Sequence, residues 1–184
     1  MPTIHRARGI RTADGAQDPA GDAVVVDGDR ITAVGGYDEL AARVGAGART
    51  REWDGHLAPG RFEPDAVALL QAHYWPDPRE AAEFGTEPLS GARLHGLGMT
   101  GERWGASARR GVQRLLAQGV TAVAGPFTHP AVRAAVDRSP VRVLPAPRPD
   151  PLTSSAVADF AVFAEPGGEC LATVVGGRLV FRRA

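Results

Sequence analysis

The sequence contains no lysine and no asparagine, and it has one cysteine among its 184 residues. All 21 basic residues are therefore arginine, and 21 acidic residues balance them. Without lysine the chain can form neither a Schiff base nor a carbamylated-lysine bridge between metal ions. A single cysteine, Cys170, excludes an internal disulfide and a zinc site built from cysteines. We interpret Cys170 as a half-buried residue near a strand rather than a nucleophile.

Long apolar runs are also missing, so no segment reaches the length of a membrane-spanning helix. The first ten residues, MPTIHRARGI, lack the apolar core of a signal peptide. A net charge of zero gives no electrostatic reason to expect binding to nucleic acid or a membrane surface. Hydrophobic residues make up 43% of the chain, which is enough for a folded core. We therefore expect a soluble, cytoplasmic protein that binds neither nucleic acid nor membranes.

The first part of the chain has the pattern of short strands and turns. Ala23–Val26 and Ile31–Val34 are predicted strands, and the Asp27-Gly28 pair between them favours a hairpin because it tolerates positive φ. Tyr37–Val44 carries apolar residues at helical spacing. Arg49–Trp53 is predicted to be extended again.

The middle of the chain alternates between helical and strand patterns, which indicates parallel βαβ units. A turn is predicted at Leu57–Gly60, and 65–73 fits either one short helix or a strand followed by a helix. The later predictions are helices at Trp104–Gln118 and Pro130–Val136, strands at Val120–Ala124 and Val141–Leu144, and a stiff proline-rich linker at 145–151. The chain then returns to strands at Asp159–Phe163, Leu171–Val175 and Arg178–Arg182.

Four segments resemble motifs of the amidohydrolase superfamily, in the order in which that family has them. They are Asp27–Gly35 (similar to "dGrI..vG"), Leu57–Gly60 ("L.PG"), Arg110–Val123 ("G…ll..GvTtv"), and Ala158–Phe163 followed by Thr173–Val180 ("ADlvvl…v..v.v.Grlvy"). The likeness is to the composite domain of imidazolonepropionase-like members, in which both chain ends fold together beside a metal-binding barrel.

The resemblance implies an α+β fold with two parts. Residues 1–58 and 152–184 would form a composite β-sandwich, and residues 59–151 a truncated α/β segment, or partial barrel. A closed eight-stranded barrel needs roughly 200 residues or more. Fewer than ninety separate Pro59 from the linker, and we count three strand equivalents there, near Phe62, Val120–Ala124 and Val141–Leu144.

The family's metal-binding motif is altered. In the family, the turn leads into an acidic residue and then His-x-His, whose two imidazoles lie on one face of a strand and bind one metal. Here Glu63 stands at the acidic position, while Asp65 and Val67 stand where the histidines should be. Valine cannot bind a metal, and one oxygen ligand alone would not hold zinc tightly. We therefore expect no cofactor, with a single zinc ion as the alternative.

The remaining site candidates show no diagnostic spacing. Asp65, His73, His95 and His129 are weak catalytic candidates, because histidine and carboxylate can form a general-base pair or a metal site. The alternative is that each histidine is a surface or hydrogen-bonded residue. We expect His5 on the surface of the β-domain and His56 in a structural role before the turn.

Tyr74 and Trp75 are candidates for a ligand pocket or an interface, since such side chains are frequent in both. Arg109-Arg110 is interpreted as a solvated helix face. A partial barrel also leaves a hydrophobic strand edge open at Val120–Ala124 or Val141–Leu144, and such edges invite pairing. We therefore expect a homo-oligomer, or a partner chain bound through the α/β segment.

Two functions of different classes follow. The first is a non-catalytic or degenerate amidohydrolase-like protein that acts as a binding or assembly module. The second is a small hydrolase of non-peptide C–N bonds, imidazolonepropionase-like, with a rebuilt or intersubunit site. Fold resemblance alone does not decide between them.

Overall fold

The structure of the protein is a computed structural model that describes residues 1–147 and 151–184. The strands are β1 (Thr3–Arg6), β2 (Gly9–Arg11), β3 (Gln17–Asp18), β4 (Ala23–Asp27), β5 (Arg30–Gly35), β6 (Arg49–Glu52), β7 (His56–Pro59), β8 (Arg61–Glu63), β9 (His73–Tyr74), β10 (Leu89–Ser90), β11 (Val120–Ala124), β12 (Arg142–Leu144), β13 (Phe160–Phe163), β14 (Cys170–Val175) and β15 (Arg178–Arg182). The helices are α1 (Tyr37–Val44), α2 (Ala66–Gln71), α3 (Ala81–Phe84), α4 (Gly101–Leu116) and α5 (Pro130–Asp137), with 3-10 turns at Pro78–Glu80 and Gly91–Leu94.

The chain divides into two compact units. The β-rich unit holds Met1–Arg61, Leu116–Thr121 and the described residues 151–184, and the α/β unit holds Phe62–Leu115 and Ala122–Pro147. The predicted mixed α+β class is confirmed, whereas the sandwich, the partial barrel and the domain bounds stay predictions. Part of the predicted linker at 145–151 lies outside the described residues. None of the helices in the described ranges combines the length and apolar character that crossing a lipid bilayer requires.

Two sheets make up the β-rich unit. One has the strand order β5-β4-β1-β6, and the other has the order β15-β14-β13-β7-β2-β3. The predicted hairpin at Asp27–Arg30 is confirmed: β4 pairs antiparallel with β5, and Gly28 at the turn has φ +61°. The predicted helix Tyr37–Val44 is α1, with the same bounds.

The core of the β-rich unit contains apolar side chains from both of these sheets. The four-stranded sheet contributes Val24 and Ile31, and the six-stranded sheet contributes Leu57, Phe160 and Val162. Each of the five is buried, and burying a side chain of this size stabilises the fold by about 1.5–3 kcal/mol relative to leaving it exposed. A second cluster forms where α1 covers the other face of the four-stranded sheet.

The turn predicted at Leu57–Gly60 is wrong for most of its length. His56–Pro59 is strand β7, which pairs antiparallel with β13 and parallel with β2. Pro59 takes the last position of the strand. Gly60 follows it, and a Cβ at Gly60 would lie 2.0 Å from Thr121 Oγ1. Glycine is needed at residue 60 because the backbone passes so close to the neighbouring side chain.

The surface position predicted for His5 is also wrong, because His5 is only 1% exposed. β1 lies between β4 and β6 in its sheet, and His5 is covered by aromatic side chains on one face of that sheet. The His5 ring stacks on Trp53 and contacts Phe160 edge-on, with ring centroids 6.0 and 5.0 Å apart. β1 has four residues, and the alternation of polar and apolar side chains over so short a strand is not enough to identify its buried face.

The three strands predicted near Phe62, Val120–Ala124 and Val141–Leu144 share one sheet, in the order β12-β11-β8. β11 pairs parallel with β12, as the βαβ pattern predicts. An edge was predicted at Val120–Ala124 or at Val141–Leu144. In the described residues β12 lies at one edge of the sheet, in agreement with the second of these, whereas β11 lies between two other strands. Val143 of β12 is 44% exposed.

Candidate ligand-binding groove

The segment from His73 to Glu80 positions the side chains of the candidate site within the α/β unit. Pro76 and Pro78 end the short strand β9, and Asp77 then caps a 3-10 turn. The Asp77 carboxylate accepts a hydrogen bond from the Arg79 N–H at 3.0 Å, and Glu80 Oε2 accepts one from the Asp77 N–H at 3.1 Å. This reciprocal pair, a capping box, satisfies amides that would otherwise lack partners.

Tyr74 is buried at the centre of a polar network, with 1% of its surface exposed. Its hydroxyl donates a 2.5 Å hydrogen bond to Glu80 Oε2, and Arg103 Nη2 donates to Glu80 Oε1 at 2.8 Å. The Arg103 guanidinium also lies 4.9 Å from the Tyr74 ring centroid. Burial raises the pKa of Tyr74, and the hydrogen bond from Tyr74 lowers the pKa of Glu80. The pair is therefore a phenol and a carboxylate at neutral pH.

Arg110 connects this network to the groove. Its Nε donates to the Trp75 carbonyl at 2.8 Å, and its Nη1 lies 3.4 Å from Asp77 Oδ2. The guanidinium is also 5.6 Å from the Tyr74 ring centroid. The interpretation of Arg109-Arg110 as a solvated helix face is therefore wrong for Arg110, which holds the strand-to-turn segment against α4. Arg109 is exposed.

Trp75 is fixed at both its backbone and its ring. Its N–H donates to Ser107 Oγ at 2.9 Å, and its indole Nε1 donates to the Leu69 carbonyl at 2.9 Å. The indole lies against α4 at Gly111, where a Cβ would be 2.7 Å from Trp75 Nε1 and 2.5 Å from Leu70 Cδ2. The missing side chain at Gly111 therefore makes room for the ring.

A groove of about 600 Å³ opens beside Trp75. Its lining is Trp75, Pro76, Asp77, Pro78, Thr86 and one face of α4: Ala106, Arg109, Arg110, Gln113 and Arg114. These α4 positions recur at three- and four-residue intervals, so they share one side of the helix. Three arginines face one aspartate, and within residues 1–147 and 151–184 no ion pair engages Arg109 or Arg114. The groove is electropositive and has the volume of a small-molecule site.

The residues predicted as catalytic candidates lie at separate places in the α/β unit. Asp65 is at the start of α2, where its N–H donates to Glu63 Oε1 at 2.9 Å. His73 Nδ1 is 2.9 Å from the Ala68 carbonyl. His95 is exposed after the 3-10 turn that ends at Leu94.

His129 precedes α5. Its N–H donates to Gln71 Oε1 at 2.7 Å, and its ring is 5.7 Å from Trp104. In the part of the chain that the structure describes, no three His, Cys, Asp or Glu side chains come together in a way that could hold a metal ion. Whether Asp65, His73, His95 or His129 has a catalytic role stays a prediction.

Sequence reasoning did not identify Arg109, Arg110 and Arg114 as site residues. Their spacing along α4 was visible in the sequence. The segment that packs against these arginines was not visible in the sequence. Trp75 and Asp77 contact α4 through hydrogen bonds between residues that are more than thirty positions apart.

Comparison with known proteins agrees with the motif at the hairpin. Residues 23–43 match the family model of the imidazolonepropionase-like composite domain of bacteria. The match covers strand β4, the Asp-Gly turn, strand β5 and most of α1, so it confirms the predicted resemblance over that segment. No curated protein sequence matches the chain.

Solved structures align with about three quarters of the chain at low identity. They include an ochratoxinase from A. niger (18% identity, 77% of this chain and 30% of that one, TM-score 0.49) and a zinc-bound adenosine deaminase from Xanthomonas campestris (21%, 77% and 33%, 0.49). A guanine deaminase from E. coli aligns with 14% identity over 78% of this chain and 35% of that one, with a TM-score of 0.49. The chain spans about a third of the length of these proteins.

Proposed function

We propose that the chain is a non-catalytic, amidohydrolase-like binding module, and that the groove beside Trp75 receives an anionic organic ligand. The observation that carries the proposal is the groove lining, to which Arg109, Arg110 and Arg114 contribute together with Trp75. Arginine donors suit carboxylate, sulfonate or phosphate groups, and an indole edge suits a planar ring.

The backbone after Gly60 supports the non-catalytic part of the proposal. Strand β8 ends at Glu63, and α2 begins at Ala66. Residues 65 and 67 therefore lie in the first turn of a helix, where side chains two positions apart do not share a face. The pair that binds metal in the resembled family would need an extended strand at this place.

The groove dimensions and charge support the binding part. A volume of about 600 Å³ accommodates a ligand of drug-like size. Arg110 already pairs with Asp77, which leaves Arg109 and Arg114 to neutralise an incoming anion. Because both side chains are exposed, their attraction for a ligand is expected to weaken as the salt concentration rises.

Calorimetric titration with trimesate (benzene-1,3,5-tricarboxylate) tests the proposal, because this probe combines a planar ring with three carboxylates. We expect saturable binding that weakens with added salt. In the double variant Arg109→Gln/Arg114→Gln, the dissociation constant is expected to rise at least tenfold, equivalent to about 1.4 kcal/mol. Because both sites are exposed, the variant is expected to fold like the unmodified chain, and circular dichroism checks this.

The matched control is Arg133→Gln/Arg138→Gln, which removes the same charge from exposed positions outside the groove lining. It is expected to bind trimesate like the unmodified chain. Absent binding, or an equal loss in both double variants, would contradict the proposed site.

The non-catalytic part is tested separately by metal analysis of the purified protein. We expect no stoichiometric zinc, iron or manganese. A stoichiometric metal that disappears in His73→Ala would instead support the alternative, a small hydrolase of non-peptide C–N bonds with a rebuilt site.

A further inference from the structure

A second, smaller pocket lies within the β-rich unit, on the six-stranded sheet. Its volume is about 200 Å³. The polar side chains of its lining are Arg11, Thr12, Asp14, His56 and Arg61, and Phe163 forms an apolar wall. The volume corresponds to roughly six or seven water molecules, at about 30 Å³ each. It therefore limits any ligand to a small molecule or ion.

Strand register explains why these side chains meet. In β7, Leu57 faces the core, so His56 and Ala58 face the other side of the sheet. Phe163 is the cross-strand partner of His56. Ile10 pairs with Leu57 and also faces the core, which places Arg11 on the same outer side as His56. The pocket is thus built on the rigid outer face of paired strands.

Two buried nitrogen atoms in this lining have no hydrogen-bond partner in the described residues: Arg11 Nε and His56 Nδ1. Burying a polar group without a partner is unfavourable, and an arginine Nε–H can only donate. Both atoms are therefore suited to a ligand that accepts hydrogen bonds.

The charges around the pocket favour an anion. Arg11 and Arg61 are the cations of the lining, and Arg61 is positioned by its hydrogen bond to the Gln118 carbonyl at 3.1 Å and by the Phe163 ring at 4.2 Å. Asp14 is the one acid of the lining, and its carboxylate accepts hydrogen bonds from the Thr12 hydroxyl and the Ala16 N–H within its own turn.

The surrounding charges are largely paired. Glu165 lies 3.1 Å from Arg8, which also binds Asp54 at 2.7 Å. Burial is the main cause of the lowered pKa of His56, and the neighbouring Arg11 is the next. The ring is therefore neutral at pH 7 and can donate from Nδ1 in one of its tautomers.

We propose that this pocket binds a small oxyanion, a carboxylate or phosphate, whose oxygens accept hydrogen bonds from Arg11 Nε and His56 Nδ1. The site is separate from the groove beside Trp75 and does not depend on it. A carboxylate and a phosphate would be bound by the same chemistry, because each presents two or more oxygens on a compact anion.

Nuclear magnetic resonance of the His56 ring nitrogens tests the proposal, with acetate and inorganic phosphate titrated separately at constant ionic strength and pH 7.5. We expect saturable shifts of the His56 Nδ1 resonance with at least one probe. Saturation by acetate alone identifies a carboxylate site, by phosphate alone a phosphate site, and by both a general oxyanion site.

Two substitutions at Arg11 separate charge from geometry. Arg11→Met removes the donor, and Arg11→Lys keeps the charge without an Nε. Both are expected to raise the dissociation constant at least tenfold, whereas Arg178→Gln, an exposed site in β15 outside the pocket, leaves it unchanged. The absence of saturable shifts with both probes would overturn the proposal, as would wild-type affinity in Arg11→Lys. If Arg11→Met fails to fold, the Lys variant decides the matter.

Discussion

The imidazole of His5 is held in the interior of the β-rich unit as a hydrogen-bond acceptor. Trp53 Nε1 donates to His5 Nδ1 at 3.2 Å, so this nitrogen is unprotonated. Burial, followed by repulsion from Arg51, lowers the pKa of His5 from 6.5 to about 4. Protonation of the ring would place a charge among apolar side chains and break the bond to the indole.

This burial makes the stability of the fold pH-dependent over a defined range. The unfolded chain takes up the proton at its ordinary pKa of 6.5, before the folded chain does. The contribution of His5 is therefore complete above pH 6.5 and is lost as the pH falls towards 4. The loss amounts to about 3 kcal/mol. Urea denaturation between pH 7 and pH 4 measures it.

The variant His5→Gln tests the assignment, because an amide oxygen can still accept from Trp53 but does not titrate. Its free energy of unfolding is expected to fall less steeply between pH 6.5 and 4 than that of the unmodified chain. His95→Gln removes an exposed imidazole and serves as the matched control. Equal pH slopes in the two variants would contradict a special role for His5.

At the scale of elements, helix α4 contains two glycines in different surroundings. A Cβ at Gly111 would be 2.5 Å from Leu70 Cδ2, whereas a Cβ at Gly105 would find its nearest atom, the Ala131 carbonyl oxygen, at 3.5 Å. Alanine stabilises a helix interior by about 1 kcal/mol over glycine when there is space for the methyl group. Overpacking costs about 1–3 kcal/mol.

We therefore expect opposite signs for the two alanine substitutions. Gly111→Ala should lower the free energy of unfolding by about 1–2 kcal/mol and disturb the Trp75 indole, while Gly105→Ala should leave it unchanged or raise it. Chemical denaturation gives the free energies, and trimesate titration of Gly111→Ala reports on the groove. A stabilising Gly111→Ala would show that Trp75 does not pack where the structure places it.

Local sequence signals were sufficient for the elements that depend on neighbouring residues. The Asp27-Gly28 pair predicted the hairpin, and the spacing of Leu40, Ala41 and Val44 predicted α1. Strand β11 has the predicted bounds, because a continuous apolar run is typical of a buried parallel strand.

Elements defined by distant partners could not be predicted in the same way. β7 reads as a turn because Pro59 and Gly60 dominate its local pattern, yet its strand character comes from pairing with Phe160–Phe163, about a hundred residues later. The groove could not be predicted for the same reason. The Arg110 side chain would be exposed on an isolated helix, and its partners in the structure are the Trp75 carbonyl and Asp77.

For the whole molecule, the edge of the three-stranded sheet supports the predicted self-association. In the described residues β12 lies at one edge of this sheet, and its Val143 is 44% exposed. Exposed apolar edges pair readily with a second strand. We propose that two copies of the chain associate through β12.

Light scattering at micromolar concentration measures the oligomeric state. The expected mass is twice the 19.3 kDa of one chain. Val143→Glu should reduce it to one chain mass, because a charge on the edge opposes pairing. Thr32→Glu, an exposed site on the edge strand β5 of a different sheet, is the control and should remain dimeric. A monodisperse monomer of the unmodified protein would contradict the association.

The six-stranded sheet of the β-rich unit also sets the order of events during synthesis. β2 and β7 are made early, but their sheet requires β13, which lies about a hundred residues further along. Until residues 160–163 have left the ribosome, β7 has no antiparallel neighbour, and Leu57 faces water. The hairpin of β4 and β5 can form at once, because its contacts are local. Translation therefore separates an early-folding hairpin from a late-closing sheet, and in the interval the nascent chain exposes to chaperones the edge of β7 that later pairs with β13.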